Sequence, residues 1–198
     1  MTAEQLGVKL TAHASYFINL NSPEEEKRAA SRKRLFSAAQ VLSWCGGYSV
    51  CVHAAYRLDS TKEQVYARVK KEIGQIVQDC KDNKINVWIR PETAGKHVQF
   101  GTLEELVQFS SEFDQVLPCI DFSHMRATTS GRVNSYEEYC KALDIVEKGL
   151  GKTALKEMHL HIQGVNYGEK GEKNHLAIKE DPSWNYKDLM RALKDYQV

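Results

Sequence analysis

The chain has no apolar run long enough to span a bilayer, no paired CxxC spacing among its five cysteines, no Walker-type phosphate loop and almost no net charge. Each absence removes a class of protein. Without roughly 20 consecutive apolar residues there is no transmembrane helix and no membrane partner to account for. Cys45, Cys51, Cys80, Cys119 and Cys140 are odd in number and no secretory signal accompanies them, which predicts reduced, buried thiols in a cytoplasmic protein. A net charge of +1 makes no general case for a polyanion partner, so any nucleic-acid surface has to be local. The densest basic stretch, Arg28, Arg32, Lys33 and Arg34, reads as the solvated face of a helix beginning near Pro23. Gly46 and Gly47 precede a strand instead of following one, the reverse of a nucleotide-binding turn.

What is present is an ordinary globular composition, with 42% hydrophobic and 27% charged residues in a chain of 198. Short β-branched or apolar runs predict strands at Val8 to Ala14, Tyr48 to Ala54, Ile85 to Arg90, Val116 to Phe122 and Glu157 to Gly164. A helix start follows each one. The predicted caps are Ser22 with Glu25, Ser60 with Glu63, Thr102 with Glu105, Ser135 with Glu138 and Asn185 with Asp188. Apolar stripes at helical spacing continue from them, such as Val65, Val69, Ile73, Ile76 and Val77. Five strand-then-helix units build a parallel sheet. Polar candidates follow every strand, and strand ends converge on one mouth only in a closed barrel. The expectation is an α/β fold, a partial (β/α)8 barrel forming one domain over residues 1–198. Such a barrel lacks strands and leaves edges exposed, which predicts a chain shortened at its ends or self-association.

The strand ends carry His13, His53, Glu92, Asp121, His124, His159 and His161, the imidazole and carboxylate donors that divalent metals use. Tyr16 and Asn19 follow His13, and an Asn amide or a nearby carbonyl could orient a metal-bound imidazole. Glu92 sits in Pro-Glu-Thr-Ala-Gly directly after an apolar strand, where its carboxylate could bridge two ions or pair with Arg90. Asp121 is embedded in an apolar run, costly unless it is paired, ligating or capping a turn. His159 and His161 share one strand face. The stretch Gly168 to His175 reads as a loop in which His175 is a further candidate ligand and Lys170 and Lys173 suit phosphate contact, or simply face water.

The segments His13 to Leu20, Pro91 to Gly95, Cys119 to His124 and Met158 to His161 together resemble the endonuclease IV family (AP endonuclease family 2) within the xylose-isomerase-like TIM barrels. That resemblance covers nearly the whole chain. It implies a DNA-repair hydrolase that cuts the phosphodiester 5′ of abasic sites in double-stranded DNA, with up to three Zn2+ ions, Mn2+ or Mg2+ being alternatives. It implies His13 and His53 as ligands of one ion, Glu92 as the catalytic bridge to a second, Asp121 and His159 on the second, and His124 and His175 on the third. It places Tyr16, Asn19, His161, Lys170 and Lys173 against substrate. The resemblance also implies two strands before the first one seen here, a last strand with a final glutamate, and an aspartate where this chain has Lys173 beside Glu172. Two alternatives stay open: a divalent-metal sugar isomerase or epimerase of the same barrel group, and a noncatalytic incomplete relative.

Overall fold

The computed structural model describes residues 2–198. Backbone contacts divide the chain into two compact units: one runs through Glu92 and takes in Phe113–Leu117, the other comprises Thr93–Glu112 and Pro118–Val198.

In the first unit β1 (Thr11–His13), α1 (Glu25–Trp44), β2 (Ser49–Val52), α2 (Lys62–Asp82) and β3 (Trp88–Pro91) alternate. The strands pair in parallel in the order β1-β2-β3, and Ile89 extends the ladder through a parallel bridge to Val116. All four residues of β2 are buried, as a strand flanked on both edges in a parallel sheet requires. α2 buries the whole stripe predicted for it, and α1 buries Leu35, Ala39 and Leu42. Two helix starts differ from expectation. Ser22 Oγ accepts from Glu24 N in a turn, so α1 begins only at Glu25 and without a side-chain cap. α2 is capped one residue late, by Thr61 with Gln64 in a reciprocal box. Nor is the basic stretch of α1 simply solvated: Arg28 and Arg32 reach Glu72 of α2, whose buried carboxylate ties the two helices together.

The second unit holds α3 (Leu103–Ser110), β4 (Cys119–Asp121), α4 (Phe122–Thr128), α5 (Tyr136–Leu150), α6 (Lys152–Lys156), β5 (His159–His161), β6 (Gly164–Gly168), β7 (Gly171–Leu176) and α7 (Tyr186–Asp195). β4 and β5 pair in parallel with Asp121 opposite His161. The predicted caps Thr102, Ser135 and Asn185 each accept from the backbone N–H three residues on. Leu106, Phe109, Tyr139, Leu143, Val146 and Leu189 are buried, and Phe122 packs edge-on against Tyr139 at 5.5 Å. The stretch from Gly168 to His175 is no loop. It is most of an antiparallel hairpin, β6-β7, which its polar composition concealed.

Parallel βα units make this an α/β fold, and its ladders do not close into a complete barrel among the described residues. Among the described residues no helix is long and apolar enough to cross a membrane. None of the five cysteines is in a disulfide; Cys51, Cys80 and Cys119 are buried as predicted, whereas Cys45 is exposed and Cys140 intermediate. Burial pushes the Cys80 thiol up to about 11, which leaves it unreactive.

Candidate metal centres

Parallel register sets the level at which each side chain leaves the first sheet. Val52 lies opposite Pro91, so the next residues, His53 and Glu92, emerge together, while His13 ends β1 beside them. Glu92 is 2% exposed, and its Oε2 lies 2.9 Å from His13 Nε2 and 3.5 Å from His53 Nε2. His13 Nδ1 is 2.8 Å from the Ala14 carbonyl, which can only accept, so Nδ1 carries the proton. A neutral His13 therefore turns the Nε2 lone pair toward a carboxylate, and two facing acceptors need a cation between them. In the metal-free chain that cation is a proton. Burial alone would lower the His13 pKa, but the hydrogen bond and charge of Glu92, with the Ala14 carbonyl, carry it above the ordinary imidazole value. A four-coordinate ion with bonds of ~2.0–2.1 Å spaces its donors about 3.3 Å apart. The two Glu92 distances bracket that spacing, so the residues present fit a divalent ion.

Tyr16 stands over this set. Its ring stacks on His13 at 5.2 Å and lies 6.2 Å from His53, yet the residue is 73% exposed. Asn19 acts elsewhere, its Oδ1 accepting from the backbone N–H groups of Asn21 and Tyr56 and bracing the loop.

The second unit gathers Asp121, His124, His161 and His175. Asp121 caps α4 by accepting from His124 N at 2.8 Å, and its other oxygen accepts from the Gln163 amide and lies 3.9 Å from His161 Nδ1. Two imidazoles flank that oxygen, His124 with its Nδ1 at 3.6 Å and His161 at 3.9 Å. His159 pairs in register with Cys119, two residues back along the strand, and touches His161 edge-on at 5.3 Å. His124 Nδ1 is 2.9 Å from the Thr93 carbonyl, so it too holds its proton there and turns Nε2 outward, to 3.2 Å from His175 Nε2 and 3.4 Å from Glu172 Oε2. The hydrogen bond from His124 holds the Glu172 carboxyl below its usual range against the opposing effect of burial, helped by the charges of His124, His175 and Lys96. Lys170 and Lys173 lie exposed on the hairpin.

Sequence reasoning missed Gln163, whose one signal is its position two residues beyond His161 on the strand's extension. It also missed how tightly the hairpin meets the 93–101 loop. Glu172 N donates to the Gly95 carbonyl at 2.8 Å, and a Cβ on Gly171, whose φ is +96°, would stand 2.3 Å from that oxygen. Gly171→Ala is therefore expected to cost about 1–3 kcal/mol through strain and enforced separation. Urea denaturation at fixed pH checks this; a midpoint equal to that of the unsubstituted chain contradicts the close approach.

A family model described as a xylose isomerase-like TIM barrel matches residues 2–198. An uncharacterised protein of Methanocaldococcus jannaschii is 43% identical over 188 residues, which make up 95% of this chain and 68% of that protein. Among solved structures, a D-tagatose 3-epimerase-like protein matches with a TM-score of 0.74 at 19% identity over 98% of this chain and 69% of its own. Endonuclease IV from Thermus thermophilus matches with 0.71 at 19% identity over 96% of this chain and 65% of its own. The 3-keto-D-glucoside 4-epimerase of E. coli matches with 0.63 at 19% identity, over 98% and 81%.

Proposed function

The chain belongs to the xylose-isomerase-like TIM-barrel family, and from that premise we propose that it is a divalent-metal-dependent isomerase or epimerase acting on a small sugar. Relatives named as sugar epimerases support the reading. The observation that carries it is the exposed Tyr16 ring stacked beside two imidazoles and a buried carboxylate. An aromatic face takes the C–H side of a sugar, while imidazole and carboxylate meet its oxygens. His13 Nε2, His53 Nε2 and Glu92 would hold the ion, which polarises a sugar carbonyl as a Lewis acid. Glu92 would be the base: for an isomerase it would take the proton from the carbon beside the carbonyl and deliver it to the former carbonyl carbon, while the hydroxyl proton passes to the former carbonyl oxygen; for an epimerase the proton instead comes back to the first carbon from the opposite face.

The test incubates ketohexoses and ketopentoses with metal-loaded protein in D2O and follows the carbon-bound proton by NMR. The expected result is deuterium at the carbon next to the carbonyl. No incorporation with any of Mn2+, Co2+ or Zn2+ overturns the reading.

One observation favours a second reading, metal-assisted hydrolysis of the phosphodiester at an abasic site in DNA. The second unit carries its own set of imidazoles and a carboxylate, which a one-ion isomerisation leaves unused, and the exposed Lys170 and Lys173 beside it suit backbone phosphate. Incision of an abasic duplex without exchange of sugar protons moves the assignment there.

A further inference from the structure

We propose that Phe17, flanked by Tyr56 and Leu58, is an outer subsite of the first unit, a role that rests on the sugar reading of the Tyr16 site. It takes a second ring carried by the sugar, so the substrate is a glycosylated ketose in place of a free one. Tyr16 and Phe17 form the tip of the turn between β1 and α1, and Phe17 is 82% exposed. That exposure is built into the backbone. Phe17 N donates to Ser15 Oγ at 3.2 Å, and the Phe17 carbonyl accepts from Arg34 Nη1 at 3.3 Å. Asn19 N donates to the buried Ser31 Oγ at 3.1 Å, while Ile18 and Leu20 are buried. The turn is therefore pinned to α1, with its aliphatic residues inside and its two rings outside. The next loop is fastened to the same frame. Tyr56 N donates to Asn19 Oδ1 at 3.2 Å, Leu20 N to the Ala54 carbonyl at 2.9 Å, and the buried Asn21 amide to the carbonyls of Tyr56 and Arg57 at 2.9 and 3.0 Å. Tyr56 and Leu58, both exposed, thus stand on the rim that carries Phe17.

Single exposed apolar residues carry no message, but Tyr16, Phe17, Tyr56 and Leu58 lie together on two braced loops beside one site. Their position selects the ligand. Tyr16 stacks on His13, which with His53 meets Glu92, so the sugar carbons nearest the carbonyl lie against that ring. Phe17, the next residue of the turn, offers a second ring further out. A sugar lays its C–H face on an aromatic ring and keeps its hydroxyls in water, which suits a platform this exposed. A wholly apolar group would want a closed pocket, which an exposed rim does not provide. A platform ordered beforehand also loses little conformational entropy when it is covered. The added ring must be carried at the end of the ketose remote from the carbonyl, because the reacting carbons belong at Glu92. Contacts so far from the reaction are equal before and in the transition state, so they lower KM and leave kcat nearly alone.

The experiment follows carbon-bound deuterium exchange by the metal-loaded full chain on pairs of substrates. Each pair is a ketohexose and the same ketohexose with a glucosyl group on its terminal hydroxyl, such as D-fructose and isomaltulose. For the unsubstituted chain we expect the glucosylated member to be preferred about 10-fold in kcat/KM, through KM. Saturating the protein's aromatic protons should transfer to the glucosyl C–H protons. Phe17→Ala, at an exposed position the fold tolerates, should raise KM for the glucosylated member about 10-fold with little change in kcat, and weaken that transfer. Phe17→Trp should keep both. Exchange without preference in any pair, or a Phe17→Ala loss shared equally by both members, overturns the outer subsite and leaves the sugar reading standing. Exchange of neither member in any pair overturns both. Two other outcomes also overturn the subsite. Affinity for abasic DNA that falls in Phe17→Ala gives the rim to nucleotide bases, and a concentration-dependent doubling of mass that Phe17→Ala abolishes gives it to a second copy of the chain.

Discussion

Replacing Arg126 with methionine is expected to destabilise the protein by about 3–5 kcal/mol, the cost of stranding one partner of a buried ion pair. The side chains of Arg126 and Asp181 are 3% and 5% exposed, and Arg126 Nη1 donates to Asp181 Oδ2 at 2.6 Å. Asp181 also accepts from Val165 N at 3.1 Å and from Ser183 Oγ at 2.8 Å, so this one carboxylate joins α4, β6 and the turn before α7. Asp181→Asn keeps the shape and leaves the guanidinium unpaired, and should approach the same loss. Burial alone would raise the Asp181 pKa, but Arg126, the Val165 amide and the Ser183 hydroxyl outweigh it and hold the carboxyl below its usual range. Between the lowered folded value and the ordinary value near ~3.9, the unfolded chain binds more protons, so this contribution grows with pH across that window. It is complete above the ordinary value and lost as pH falls through the folded one. Urea midpoints of Asp181→Asn and the unsubstituted chain should accordingly lie far apart at neutral pH and converge in acid. A constant gap down to pH 2 would show that the pair contributes packing and no charge.

That anchor illustrates which parts of the molecule the chain's own pattern discloses. β2 is readable because a strand buried on both faces must be continuously apolar, and α2 because its stripe recurs at helical spacing. The hairpin is unreadable for the converse reason: Gly-Glu-Lys-Asn-His-Leu is largely solvated, so nothing in β7 has to alternate. Arg126 and Asp181 are 55 residues apart, and neither has a local signal. At the strand ends, residue type was legible and partnership was not. His159 and His161 satisfy the same two-residue spacing; only the pairing of β4 with β5 puts His161 next to Asp121. Glu172 lies at the wrong spacing for His175 until the hairpin register is known, in which Lys173 is the extra residue of a bulge, and a bulge is set by the partner strand. The triad His13, His53 and Glu92 was legible in full, because each member directly ends or follows an apolar run and the parallel order of βα units brings such ends to one side.

The strongest effect on chemistry is expected from Glu92→Gln, which preserves volume and removes one charge at the point where two imidazoles converge. Residues that merely orient a metal ligand carry ~10–100-fold in affinity, so loss of a donor should exceed that for the divalent ion of the first unit, and proton exchange on sugars should fall below detection. The metal-free chain gives an independent reading. With the carboxylate gone, burial is the dominant influence left on His13, so its pKa should drop from above the ordinary imidazole value of about 6.5 to below it. In the unsubstituted chain the His13–Glu92 pair stabilises the fold below that ordinary value, and the gain is lost as pH rises through the raised one. With the His13 pKa below its ordinary value, Glu92→Gln should reverse this dependence, stability then rising with pH up to that ordinary value, and imidazole NMR titration together with stability measured on both sides of it checks this. The two readings separate charge from geometry. If His13 shifts down while metal affinity holds, Glu92 governs the proton and the ion sits on other donors; if both fall together, one oxygen serves the proton and the ion in turn, and the metal enters by displacing the proton that His13 holds.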